Sequence, residues 1–292
     1  MFFISTTFEK DNFPIKIAVD KLYQNSIYNI ELGSNHSYEK SYAYLKKYKV
    51  NYCVHNYFPI PKKNIVLNIA SQNKQIRNSS IKHIKKAIKF FKTIKAQLYT
   101  FHPGFLTDPE GFNISDKNYD FLWNNKKLIF SNYAISWKLM VKSIKEIIKY
   151  SKKKKVKIAI ESEGSINSKN HLLMQRPIEY KKFFKIFDKR DIGINLNIGH
   201  LNLASIAFKF NKMNFVKNIS TKIVAMELSH NNGKNDDHLP IKSNTWYWKL
   251  INDKKFENIP KILEFRNTNL KEVKKTYHLV NKNKVTNQSI YK

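Results

Sequence analysis

The stretch Gln97-Leu98-Tyr99-Thr100-Phe101-His102-Pro103-Gly104 is a short apolar β-type run that stops on a side chain able to bind metal. The same event recurs along the chain. Tyr52 to Val54 runs into His55, Val156 to Ile160 into Glu161, Ile192 to Leu196 into Asn197 and His200, Ile223 to Met226 into Glu227, and Ile262 to Leu263 into Glu264. Parallel strands closed into a barrel carry their C-terminal ends to one rim, so residues distant in sequence converge there. Imidazole and carboxylate on a common rim are the donor set of a divalent cation.

On either side of these runs, strand-like and helix-like segments alternate from end to end, which predicts βα units around a parallel sheet. Eight strands are expected: Phe2 to Ser5, Tyr28 to Leu32, Asn51 to Val54, Gln97 to Phe101, Val156 to Ile160, Gly193 to Leu196, Ile223 to Leu228, and Ile262 to Phe265. Helical period is clearest where Ile81, Ile84, Ile88, Phe91 and Ile94 recur at three and four, with lysines on the other face. Similar stripes cover Ser136 to Tyr150, Ile178 to Phe187 and Leu270 to Val280. The expected fold is a single (β/α)8 TIM barrel over residues 1–281, with residues 282–292 a polar tail without order. Three long connections, Pro59 to Arg77, Phe105 to Tyr133 and Asn231 to Asn258, follow strands and so belong to the C-terminal rim.

The chain has 292 residues and a formal charge of +31. Only four of its 53 basic residues are arginine, and lysine abundance runs with abundant Ile and Asn. Specific phosphate or base recognition favours arginine for its bidentate fork, so the charge is read as compositional bias and nucleic acid as the second-ranked partner. Cys53 is the only cysteine, which excludes an intrachain disulfide and fits a reducing compartment. With no basic and apolar leader at Met1 to Lys10 and no membrane-length apolar run, the expected location is cytoplasmic, with no membrane partner.

These residues resemble, in order, the motifs of the xylose isomerase-like barrels, which include sugar phosphate isomerases and epimerases and the endonuclease IV type of abasic-site nuclease. Phe101-His102-Pro103-Gly104 is similar to the family's His-Pro-Gly after strand four, and Val54-His55-Asn56 to the histidine after strand three. Glu161 stands at the strand-five carboxylate, with Ser162 where asparagine is common. Asn197-Ile198-Gly199-His200 resembles Asp-x-x-His, with asparagine for aspartate, and Glu227 to His230 resembles an altered His-x-x-Asp. Gly233-Lys234 and Asp236-Asp237-His238-Leu239-Pro240 are similar to Gly-Lys and Asp-x-His-Leu-Pro, and Glu264 matches the strand-eight carboxylate.

The resemblance implies a divalent metal held among His55, His102, Glu161, Asn197, His200, Glu227, Asp236, His238 and Glu264. An amide oxygen at Asn197 would be a neutral, weak donor, which favours Mn²⁺ or Mg²⁺ over Zn²⁺ there. It implies a metal-dependent isomerase or epimerase of a small sugar or sugar phosphate, with Glu161 and Glu264 moving the proton through an enediolate. Glu31, His230, Trp246 and Trp248 are candidate substrate contacts, and a homo-oligomer is compatible with the chain. Two alternatives remain open: an endonuclease IV-like phosphodiesterase, and a binding barrel that has lost its metal. His36, His83, His171 and His278 are expected on the solvated surface.

Overall fold

The computed structural model describes residues 1–112, 121–124 and 132–289. Eight parallel strands close into a barrel: β1 Phe2–Ser5, β2 Asn29–Leu32, β3 Asn51–His55, β4 Tyr99–Phe101, β5 Ile158–Glu161, β6 Gly193–Asn197, β7 Ile223–Leu228 and β8 Lys261–Leu263. Each strand pairs with its sequence neighbour and β1 pairs with β8, which closes the ring. All eight expected strands are found. No described helix is long and apolar enough to cross a membrane.

Alternation along the strands separates two apolar regions. Phe2, Ile4, Ile30, Leu32, Tyr52, Val54, Tyr99, Ile160, Ile194 and Met226 pack outward in the main core that includes the helices. Phe3, Cys53, Leu98, Ala159, Ala225 and Ile262 form a separate small cluster, the inward-facing plug of the barrel. Two residues further along five of these strands stand Ser5, His55, Thr100, Glu161 and Glu227, and beyond Ile262 stands Glu264. All are buried. The period of two therefore lays a polar layer directly on the apolar plug.

The outer ring is made by α1 Ile15–Gln24, α2 Lys74–Thr93, α3 Asn132–Lys154, α4 Pro177–Ile186, α5 Ile198–Ala207, α6 Lys212–Ile219, α7 Trp248–Ile251 and α8 Leu270–Ser289. Asn73 caps α2 through its side-chain oxygen, which accepts from Gln75 N and Ile76 N, and Ile81, Ile84, Ile88 and Phe91 bury its apolar face. The second βα unit departs from the expected rhythm. Between β2 and β3 the chain makes only a 3₁₀ turn, Ala43–Lys47. Gly33, Ser34, Asn35, Ser37 and Ser41 crowd this connection, and such residues offer the backbone local alternatives to an α-helix.

Two other expectations change. The last helix continues to Ser289, into the segment read from sequence as an unordered tail. His36, His83 and His171 are buried rather than solvated, while His278 is exposed. His36 Nδ1 lies 2.9 Å from Phe13 O and Nε2 2.8 Å from Thr6 Oγ1. His83 faces inward on α2. His171 Nδ1 meets Thr107 Oγ1 at 2.9 Å, and its ring stacks on Trp123 at 4.6 Å. Part of the long Phe105 to Tyr133 connection lies outside the described residues.

Candidate metal centre

Strand register decides which side chains meet. His55 pairs with Thr100 across β3 and β4, Thr100 with Ala159 across β4 and β5, and Asn197 with Glu227 across β6 and β7. His55, His102 and Glu161 consequently bring ligand atoms within 4.8 Å of one another, as do His200, Asp236 and His238. The first group comes from strand ends. The second combines the first turn of α5 with the loop after β7. That loop is pinned by His230 and Leu239, whose backbones exchange hydrogen bonds of 2.8 and 2.9 Å, and by Arg266 N donating to His238 O at 3.1 Å. His238 itself has a φ of 45°, a left-handed conformation that costs a non-glycine residue energy.

Three imidazoles have Nδ1 engaged from outside and Nε2 turned inward. His55 Nδ1 meets Thr100 Oγ1 at 2.8 Å, His102 Nδ1 meets Glu163 Oε1 at 2.5 Å, and His200 Nδ1 meets Ser162 O at 2.9 Å. A carbonyl can only accept, so His200 Nδ1 carries the proton and Nε2 is left to ligate or to bond Asp236. An outer partner that fixes ring and tautomer in this way is the usual companion of a metal-binding histidine. Nε2 of His55 and of His102 stand 3.6 and 3.8 Å from Glu161 Oε2, which is buried without a hydrogen-bond partner. Asp236 Oδ2 accepts from His200 Nε2 at 3.1 Å and His238 Nε2 at 2.9 Å, while Asp236 Oδ1 is likewise orphaned. Orphaned, buried carboxylate oxygens facing imidazole nitrogens fit a divalent cation.

The site's charges are strongly biased. Burial pushes the His55 imidazole down to about 4. At His102 burial acts in the same direction, but the carboxylates of Glu163 and Glu161 outweigh it and raise the group to about 9. His238 is likewise raised to about 9 against burial, by Asp236 and Glu264, whose Oε2 is 3.2 Å from His238 Nδ1. Asp236 holds His200 well above its ordinary value despite burial. Conversely, burial favours neutral carboxyls at Glu161, Asp236 and Glu264, yet the facing imidazoles hold all three below the carboxylate range, Glu264 at about 2. Glu31 and Glu227 go the other way. Burial, then the neighbouring carboxylates, push both well up.

The altered pair behaves differently from the ligand role expected of Asn197. Its Nδ2 donates to Glu161 Oε1 and to Glu227 Oε2, both at 3.0 Å, while its Oδ1 caps α5 by accepting from His200 N at 3.1 Å. The backbone donor fixes the amide's orientation, so Asn197 presents hydrogen to the carboxylates rather than oxygen to a cation. Glu227 also accepts from Asn195 Nδ2 at 2.6 Å, and its Oε1 lies 3.5 Å from His55 Nδ1.

His230, Trp246 and Trp248 are not drawn into this cluster. His230 Nδ1 is 3.4 Å from the Tyr247 hydroxyl, the Trp246 ring carries the Lys212 ammonium at 4.5 Å, and Trp248 Nε1 donates to Lys242 O at 2.7 Å. Glu163, Ser162, Thr100 and Asn195 are site residues that the sequence reading did not select as such. Thr100, Asn195 and Glu163 each lie two residues from a selected one, so strand alternation was the available signal. Gly164 explains how β5 and α5 come together: a Cβ there would sit 1.9 Å from His200 O.

The family model described as xylose isomerase-like TIM barrel matches residues 21–289. The uncharacterized protein MJ1311 of Methanocaldococcus jannaschii is 23% identical over 255 residues, covering 85% of this chain and 76% of that protein. A solved D-tagatose 3-epimerase-like protein superposes with a TM-score of 0.74 at 19% identity, covering 99% of both chains. D-Psicose 3-epimerase from Clostridium cellulolyticum H10, solved with D-tagatose, gives 0.62 at 12% identity, with 89% of this chain and 83% of that one covered. At such identities the structural likeness carries the fold. The match of the family model over nearly the whole chain carries more: this protein belongs to the xylose isomerase-like TIM barrel family.

Proposed function

We propose that the chain is a divalent-metal-dependent isomerase or epimerase of a small sugar or sugar phosphate. The observation that carries this reading is the continuous ladder from Glu161 through His200, Asp236 and His238 to Glu264, which holds a buried, ionised glutamate at each of its two ends. The solved epimerases that share the fold support the sugar class. A cation held by His55, His102 and Glu161, or by His200, Asp236 and His238, would stabilise negative charge developing on adjacent substrate oxygens. Glu161 and Glu264 would take the proton from the substrate carbon and return it, both being held deprotonated by their imidazole neighbours. His102, fixed by Glu163, would orient the substrate oxygen beside Glu161. Glu31 remains a candidate contact from inside the barrel.

The test is solvent-deuterium incorporation at the carbon next to the carbonyl, over a panel of ketoses and their phosphates, with protein purified without chelator and its metal content measured. Exchange that needs the metal and vanishes in Glu161→Gln is the expected result. A second reading, two-metal phosphodiester hydrolysis, is favoured by the retention of two separate ligand triads. It is weakened by Asn197, whose amide hydrogens face two carboxylates. Absence of exchange on every sugar, together with Glu161-dependent incision of abasic duplex DNA, would overturn the isomerase reading in favour of the second.

A further inference from the structure

Glu31 differs from every other carboxylate of the polar layer. It lies on β2 in register with Ser5 on one side and Cys53 on the other, is fully buried, and neither of its oxygens has a hydrogen-bond partner. Its neighbours are compensated: Glu161 faces His55, His102 and His200, Asp236 faces His200 and His238, Glu264 faces His238, and Glu163 faces His102. Burying an unpaired carboxylate is among the costliest arrangements in a protein, and a second carboxylate beside it adds repulsion.

Glu227 is that second carboxylate. Glu31, His55 and Glu227 each offer a ligand atom within 4.8 Å of the other two. His55 stands between two acidic walls, with Nε2 3.6 Å from Glu161 Oε2 and Nδ1 3.5 Å from Glu227 Oε1. Glu227 also accepts from the neutral amides of Asn195 and Asn197, and the Glu161 carboxylate is the charge that acts on it most strongly. The two carboxyls of the barrel mouth that face no imidazolium are therefore Glu31 and Glu227, both within reach of the neutral His55 imidazole. By register, Glu31 stands level with Ser5 of the polar layer on one side and with Cys53 of the apolar plug on the other.

We propose that Glu31, Glu227 and His55 form a third seat for a divalent cation, distinct from the triads on Glu161 and on Asp236. Two carboxylate oxygens and one imidazole nitrogen suit Mn²⁺ and Zn²⁺ alike. A neutral imidazole ligates through one nitrogen while the other keeps its proton, so His55 serves one seat or the other at a given time. The ion's position is thus separable from the sugar reaction: an inactive barrel would hold it equally well.

The experiment is a titration of the chelator-stripped full-length protein with Mn²⁺, reading free Mn²⁺ by its paramagnetic resonance signal. All variants carry His238→Ala, which silences the triad on Asp236 and leaves one ion dependent on His55. Glu31→Gln should weaken that ion by about tenfold or more, whereas His102→Ala should leave it within about threefold. Unchanged affinity in Glu31→Gln overturns the proposal, as does equal weakening by both substitutions or no binding at all. Should Glu31→Gln fail to fold, the His102→Ala variant decides alone: one retained equivalent supports the seat on Glu31, and none removes it. Failure of the sugar reading would appear elsewhere, in the deuterium assay.

Discussion

The two ligand triads have the same donor types but opposite states of closure. On the strand ends, His55 and His102 stop 3.6 and 3.8 Å short of Glu161 Oε2, beyond hydrogen-bond reach. On the loop side, Asp236 is bonded to both His200 and His238, at 3.1 and 2.9 Å. The difference follows from what holds each residue. Barrel strands fix the first triad in register, and Thr100 and Glu163 hold the two rings back from outside. The second triad draws two of its three members from one loop, at positions 236 and 238, where opposite charges meet directly. Rigid elements preserve an open gap for a cation, whereas a loop fills the gap with its own ion pairs.

Glu161 joins the two regions, touching His55 and His102 of the open triad and His200 of the closed one, with Nδ1 of His200 at 3.2 Å. Removing its charge should therefore have the largest effect on the comparison. In Glu161→Gln, kcat/KM for the exchange reaction should fall about a thousandfold or more with the circular dichroism spectrum unchanged. Near-normal turnover would remove Glu161 from both proton transfer and metal support.

The closed triad should show a steeper dependence on pH. A ligating histidine must be neutral, so every imidazolium present before binding releases a proton. His102 is raised to about 9 and is protonated at neutral pH, while His55, lowered to about 4, is already neutral. His200 and His238 are both raised, so both are protonated. Between about pH 6.5 and 8, affinity should rise about tenfold per pH unit for the open triad, measured in His238→Ala combined with Glu31→Gln so that the seat on Glu31 is disabled as well. For the closed triad, measured in His102→Ala, the rise should approach about a hundredfold per unit. Equal slopes would show that the two triads do not differ in their ion pairing. A smaller, local effect is expected of Glu163→Gln, which loosens His102: about tenfold weaker binding at the open triad and none at the closed one.

How much of this could be read from sequence depends on whether a residue's position was set by local period or by distant partners. The barrel and its rim follow from short apolar runs that each stop on His, Glu or Asn, and strand alternation then fixes which face those residues take. The missing helix between β2 and β3 lies in a segment without a helical stripe. By contrast, the burial of His36 depends on Phe13 O and Thr6 Oγ1, and that of His171 on Thr107 and Trp123, contacts no local pattern announces. Asn197 was legible as a change of charge. Its double duty, capping α5 and donating to Glu161 and Glu227, required the cap and the cross-strand neighbours together.

The smallest expected effect concerns Trp248, whose rim position suggests stacking on a sugar face. Its indole Nε1 donates to Lys242 O, and it is the first residue of α7, a four-residue helix. Tyr247 beside it is buried, with its hydroxyl accepting from Lys242 N at 2.8 Å, so the two aromatics clamp one turn of the loop after β7. That loop also carries Asp236 and His238, and its far end is separately pinned through the bonds between His230 and Leu239. Trp248→Phe keeps the ring and deletes one hydrogen bond, which should cost about 1 kcal/mol of stability. KM should stay within about twofold, because the closed triad has its own anchors and the indole hydrogen bond is spent on Lys242 O. A large rise in KM with unchanged Tm would show instead that Trp248 turns toward the substrate, and that the loop side of the rim contributes binding as well as metal ligands.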